Sequence, residues 1–218
     1  MAPKAVHLDV CLYGADLRLR LTTPTSETAY LVSSHQLCNN SPVFRNLVAQ
    51  ARHVLSQNEY RPQATKVFPE LLLTGSHPIA FGIVLYVLHA RPDQLPESVS
   101  FETLLEVAAV CEEYRCAAAM RPWDELWIRP WRKHALDPGY ENWFFIAWVF
   151  GEQYVFRKLS KELIKNGVLK SGSIGLVIRG YTSEVELDHR ISRSIIGSRS
   201  PGCKGTHYLV TDTAMQTR

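Results

Sequence analysis

The sequence predicts an α+β fold, a small sheet flanked by a helical cluster with a C-terminal helical extension, and three stretches carry that prediction. Asp16-Leu-Arg-Leu-Arg-Leu21 alternates apolar and polar residues strictly, so Leu17, Leu19 and Leu21 share one face of a half-buried strand. Tyr30 to Val48 reads as a strand entering a short helical turn and then a Ser-Pro helix start. Leu104, Leu105, Val107, Ala108 and Val110, extended by Cys111 and Tyr114, repeat at helical spacing and form the buried stripe of a later helix.

The elements follow in order. Thr22-Thr-Pro-Thr-Ser26 supplies turn chemistry and Ala29 to Val32 a second strand, which makes an antiparallel hairpin the economical reading. Ser41 can cap free helix amides, Pro42 suits the first helical position, and Val43, Phe44, Leu47 and Val48 recur at helical spacing behind them. Ser56 to Lys66 is polar and interrupted by Pro62. Val67 to Leu73 is apolar enough for a buried strand, although Pro69 would deprive an interior ladder of a donor. Gly75-Ser-His-Pro precedes Ile79 to Ala90, whose Ile79, Ile83, Tyr86 and Val87 fit a buried helix at the domain centre. Arg91-Pro-Asp-Gln-Leu-Pro96 breaks it, and Ser100 with Thr103 opens the next helix. Cys116 to Met120 is helix-prone, Arg121 to Ile128 continues it across a proline-marked step, and Pro130 is expected to end the compact unit.

From Trp131 to Gly139 the composition is basic and loop-like; Glu141 to Phe156 is unusually aromatic, Arg157 to Asn166 reads as an exposed helix end, and Gly167 suits a C-cap. Beyond Ser171, glycines at 172, 175, 180, 197, 202 and 205 punctuate weak strand-like fragments, with no internal repeat. The expected organisation is a domain over 9–128, a helical extension over 139–168 and an irregular or flexible tail over 169–218.

The bulk properties exclude several classes. A chain of 218 residues and 24.7 kDa buries one sizeable core with extras, and 46% hydrophobic with 21% charged residues is a globular composition. A net charge of +3 spread over scattered basic residues asks for neither nucleic acid nor an anionic membrane. Cysteines at 11, 38, 111, 116 and 203 form no compact framework and the first residues lack the apolar run of a signal peptide, so an intracellular protein of cytoplasm or nucleus is expected. The apolar runs Ile79 to Leu88 and Trp143 to Phe150 fall short of the ~20 residues of a spanning helix.

Sharper chemical readings fail on spacing. Cys111 and Cys116 lack the C-x-x-C pattern of zinc sites, and five apart on one helix they are expected on different faces; His35 with Cys38 has no second ligand pair. Gly197-Ser-Arg-Ser-Pro-Gly202-Cys-Lys-Gly-Thr206 imitates a phosphate loop, the basis of an alternative reading as a nucleotide-binding enzyme, but Cys203 and Gly205 split the required spacing. Asp9, Asp16, Glu70, Glu102, Glu106, Glu112 and Glu113 lack a catalytic partner set, and no nucleophile elbow or His-Glu-x-x-His pair occurs. Trp143, Phe144, Phe145, Trp148, Phe150, Tyr154 and Phe156 run together with Ile146 and Val149, the pattern of packing rather than of base stacking beside Arg157, Lys158, Lys161 and Lys165. No catalytic residue, cofactor or metal is expected.

Ser33-Ser34, Leu37 and Ser41-Pro-Val-Phe44 followed by Leu47, with Ala80-Phe81, Leu88-His89-Ala-Arg91, Val99-Ser100, Leu104-Leu105, Val107-Ala108, Tyr114-Arg-Cys116 and Trp127-Ile128 in the same order, resemble the BTB/POZ domain, particularly its short fungal form. The resemblance covers roughly Asp9 to Ile128. No role passes to His35, which is offset by one from the family's histidine position. The resemblance implies a BTB/POZ-like sheet and helical cluster acting as a non-catalytic protein-binding module, often a homodimer, with relatives that dock onto cullin scaffolds of ubiquitin ligases or recruit transcriptional corepressors. On that basis Leu17, Leu19, Leu21, Val43, Phe44, Leu47 and Val48 are the candidate contact residues.

Overall fold

The chain divides into two units, Met1–Asp124 and Glu125–Arg218, in a computed structural model that describes residues 6–11, 13–24, 26–57, 68–74, 77–137, 139–169, 176–178 and 185–186. It is an α+β protein. The first unit holds a mixed sheet made of β1 (Val6–Asp9), β2 (Leu17–Thr22), β3 (Glu27–Val32) and β4 (Glu70–Thr74), in the spatial order β1-β3-β2-β4. β2 and β3 form the antiparallel hairpin, with Leu19 opposite Tyr30, while β1 runs parallel to β3 and β4 parallel to β2. The turn closes on itself, since the Thr23 amide donates to the Ser26 carbonyl at 2.8 Å and the Ser26 amide to Thr23 Oγ1 at 2.9 Å. The alternation of β2 does what its period requires: Leu17, Leu19 and Leu21 are buried and the arginines between them face outward.

The stretch expected as a buried strand from Val67 is instead an edge strand beginning at Glu70. Register explains the difference: Leu71 and Leu73 lie across from Leu19 and Leu21 on the inner face, whereas Leu72 lies across from Arg20 on the outer face and is 70% exposed. Pro69 stands just before the strand, where its missing donor is harmless and its carbonyl accepts from the Arg18 amide at 2.9 Å.

Helices α1 (Ser34–Asn40), α2 (Pro42–Gln57), α3 (Pro78–Leu88) and α4 (Phe101–Glu113) complete this unit; α3 packs on α4, and α2 on α1 and β4. Of the residues expected to bury α3, Ile83 does so, Tyr86 and Val87 are half-buried, and Ile79 is 65% exposed. The buried set is Ala80, Phe81, Gly82, Ile83, Val84, Leu85 and Leu88. A helix apolar nearly all round has no polar face to set its phase, so packing sets it instead. One contact that does so is Tyr30 against Gly82, where an added Cβ would stand 3.9 Å from the tyrosine ring.

Both α3 and α4 end in the same turn without glycine. Ala90 (φ 52°) and Arg115 (φ 50°) adopt the left-handed conformation, and the next residue's amide reaches back, Arg91 to the Tyr86 carbonyl and Cys116 to the Cys111 carbonyl, each at 2.9 Å. This corrects the expectation that Cys111 and Cys116 lie on different faces: the helix stops at Glu113, the Cys116 amide turns back to the Cys111 carbonyl, and the two buried thiols are neighbours. The chain then passes through 3-10 turns over Ala117–Trp123, interrupted by Pro122, and a π-helical turn over Asp124–Ile128.

Pro130 does not end a unit; it lies in the first turn of α5 (Arg129–Arg132), a position that tolerates its missing donor, and the division falls at Asp124. The aromatic stretch forms two helices, α6 (Trp143–Phe150) and α7 (Gln153–Asn166), separated at Gly151, whose φ of 77° favours glycine. Gly167, expected as a cap, opens β5 (Gly167–Leu169), which pairs antiparallel with β6 (Leu176–Ile178), itself paired with β7 (Val185–Glu186). Most of the segment expected as an irregular or flexible tail, 169–218, lies outside the described residues, as does the phosphate-loop imitation at 197–206.

Candidate functional site

The strand-to-helix junction from Tyr30 to Val48 is the best-built feature of the first unit. Ser41, fully buried, caps α2 by accepting from the Phe44 amide at 3.0 Å and donates its hydroxyl proton to the Tyr114 carbonyl at 2.5 Å. One short side chain thereby ties the start of α2 to the end of α4. Phe44 stacks on Tyr114 with centroids 4.4 Å apart, and Tyr114 and Tyr30 each meet Phe81 edge-on, at 5.6 and 5.5 Å. The Tyr30 hydroxyl donates to the Pro78 carbonyl at 3.0 Å, and burial pushes its pKa up to about 12.

Two groups of polar contacts hold the turn into α1. Asp16 accepts from the Ser34 amide and hydroxyl, both at 2.6 Å, and Arg52 of α2 donates to the Ser34 hydroxyl oxygen at 2.8 Å while lying 3.6 Å from Asp16. His89, at the end of α3, donates from Nδ1 to the Leu85 carbonyl at 2.8 Å and accepts at Nε2 from the Ser33 amide at 3.0 Å. Burial pushes the His89 pKa down, which suits a neutral ring whose second nitrogen must accept.

This construction relocates the contact residues expected from the sequence. Leu17, Leu19, Leu21, Phe44 and Val48 are buried in the chain's own core, and Val43 and Leu47 are half-buried. Their side chains bind the unit together and do not form an exposed patch. Among the described residues the exposed large apolar ones are Tyr13, Leu72 and Ile79 in the first unit, and Leu126, Leu136 and Tyr154 in the second. Leu72 stands out because it sits on an edge strand, a position legible only once the sheet order is known.

The remaining chemical candidates have local roles. His35 hydrogen-bonds Asn39 at 2.9 Å on the exposed side of α1, and the Cys38 carbonyl accepts from Arg45 at 2.9 Å. Burial, then the neighbouring Cys116 thiol, pushes the Cys111 thiol pKa up, the opposite of an activated nucleophile. Trp143, Phe144, Phe145 and Trp148 are buried in α6, with Phe144 stacked on Phe156 of α7 at 4.7 Å. Tyr154 is 68% exposed with Lys158 over its ring. Among the described residues no cluster of His, Cys, Asp or Glu could hold a metal ion, and no helix is long and apolar enough to cross a membrane. A scan against protein-family models finds no match to this chain, and neither does a comparison with curated proteins.

Proposed function

We propose that the first unit is a BTB/POZ-like protein-interaction module that acts by non-catalytic surface recognition, as a homodimer or as an adaptor within a ubiquitin-ligase or transcriptional complex. The observation that carries this reading is the order of elements around the Ser41 junction: an antiparallel hairpin, a short helix, a Ser-Pro-capped helix, a parallel edge strand and two packed helices. That order agrees with the family likeness of the Ser41-Pro-Val-Phe44 block and of the later Leu104 to Tyr114 block. The chemistry points the same way, since the buried side chains of the junction, Ser34, Ser41 and His89, each hydrogen-bond within the unit, Ser34 to Asp16, Ser41 to the Tyr114 carbonyl and His89 to the Ser33 amide. Free thiols at Cys11, Cys38, Cys111 and Cys116 suit the reducing cytoplasm or nucleus.

Affinity purification of the tagged full chain from extract, with light scattering of the pure protein at micromolar concentration, tests the proposal. Self-association or a specific co-purifying protein is expected. A chain that stays monomeric at every accessible concentration and recovers no partner would overturn it.

A further inference from the structure

The outer edge of β4 has the features of a strand meant to be continued. Pro69 turns its carbonyl toward β2, so by the alternation of strand backbone Glu70, Leu72 and Thr74 direct their amides and carbonyls away from β2 to the open side. No backbone partner for those groups occurs among the described residues. Edge strands are commonly protected by an interior proline, lysines, a bulge or an unpaired charge, and Glu70-Leu-Leu-Leu-Thr74 has none of these. Its single charge is already matched, because Arg20 holds Glu70 through two oxygens at 2.9 and 3.0 Å and also reaches Glu27 at 3.3 Å. What is left is a strand whose one charged side chain is ion-paired on its own sheet, with a leucine 70% exposed at its centre.

We infer that β4 pairs antiparallel with β4 of a second copy of this chain, joining two sheets into one across a two-fold axis at Leu72. The inference rests on the reading of the chain as an interaction module and names the partner and the surface. The strand is self-complementary in that register. Leu72 faces Leu72 of the second copy, an apolar pair on the outer face, and Glu70 faces Thr74, whose hydroxyl can donate to the carboxylate. Each outward residue then exchanges both its backbone bonds with one residue opposite. Shifting the strands to bring Glu70 against Glu70 would instead set like charges together. An isologous contact of this kind closes after two copies, so it gives a dimer and not a fibre.

Sedimentation velocity of the full chain over a concentration series tests this, with Leu72→Pro, Leu72→Lys and, as a control at another exposed apolar residue, Ile79→Lys. Leu72→Pro removes an amide that points outward and leaves the ladder to β2 in place, so far-UV circular dichroism should be unchanged; Leu72→Lys serves if the proline variant fails to fold. The expected result is a wild-type dimer, dissociation raised at least about tenfold by either Leu72 change, and an unaltered dimer for Ile79→Lys. A dimer indifferent to both Leu72 changes overturns the edge pairing while leaving the interaction reading intact, and so does a monomeric chain that captures a different protein. A monomer that captures nothing overturns both.

Discussion

His89 shows how a single side chain can make this fold sensitive to pH. Its folded pKa lies below the ordinary 6.5 because burial disfavours the imidazolium, so in the acid range the unfolded chain binds the proton more readily than the native one. Stability from His89 is therefore complete above about pH 6.5 and is lost as pH falls from there through the lower folded value. Protonation also turns Nε2 into a donor facing the Ser33 amide, which removes that bond. Thermal melts of the wild type and His89→Gln between pH 8 and pH 5 check this, and the expected outcome is a smaller loss of melting temperature on acidification in the variant. Ser41→Ala is a second test, because it leaves both the Phe44 amide and the Tyr114 carbonyl without their buried partner. A loss of about 2 kcal/mol by urea denaturation is expected. The Ser41 cap was readable from the sequence because donor and acceptor lie in one turn. The Asp16, Ser34 and Arg52 cluster was not, since residues eighteen apart meet only after the sheet and α2 have formed.

At the level of elements, legibility followed periodicity. β2 and α4 carry a polar side as well as an apolar one, and their buried faces are legible in the sequence apart from Phe101 at the start of α4; α3 is apolar throughout, so its phase and the exposure of Ile79 depend on what it packs against. β4 illustrates the same limit in a strand, because three consecutive leucines do not say which one faces out until β2 sets the register. Helix ends without glycine are equally opaque, which is why the meeting of Cys111 and Cys116 is not legible in their spacing. Those ends give a direct expectation: Ala90→Gly and Arg115→Gly should each stabilise the protein by about 0.5–1 kcal/mol, because glycine removes the Cβ strain at φ near 50°. Gly82→Ala should do likewise, since the added methyl meets Tyr30 at an ordinary contact distance and alanine is the better residue in mid-helix. Urea midpoints at fixed slope measure all three, and a lowered midpoint for any of them would count against the corresponding argument.

The whole molecule is two units joined in sequence at Asp124, a boundary that proline and composition had placed near Pro130. The reason for the discrepancy is physical: Pro130 sits in the first turn of α5, where a missing amide costs little, so it marks no break, and Pro122 interrupts the 3-10 turns over Ala117–Trp123 just before the division. The buried apolar residues of the first unit run from Val10 through Leu19, Tyr30, Phe44, Phe81, Leu104 and Tyr114 to Met120. A stretch of that length is within the range of independently folding domains, roughly 50–250 residues. A fragment of residues 1–124 is therefore expected to unfold cooperatively and to keep the near-ultraviolet signal of its packed tyrosines. Extending it to Ile128 should leave the melting temperature nearly unchanged, because Trp127 and Ile128, although buried, fall in the second unit. A fragment ending at Asp124 that shows only a broad, non-cooperative melt, restored by adding those last residues, would mean that the π-helical turn belongs to the first core and that the boundary lies beyond it.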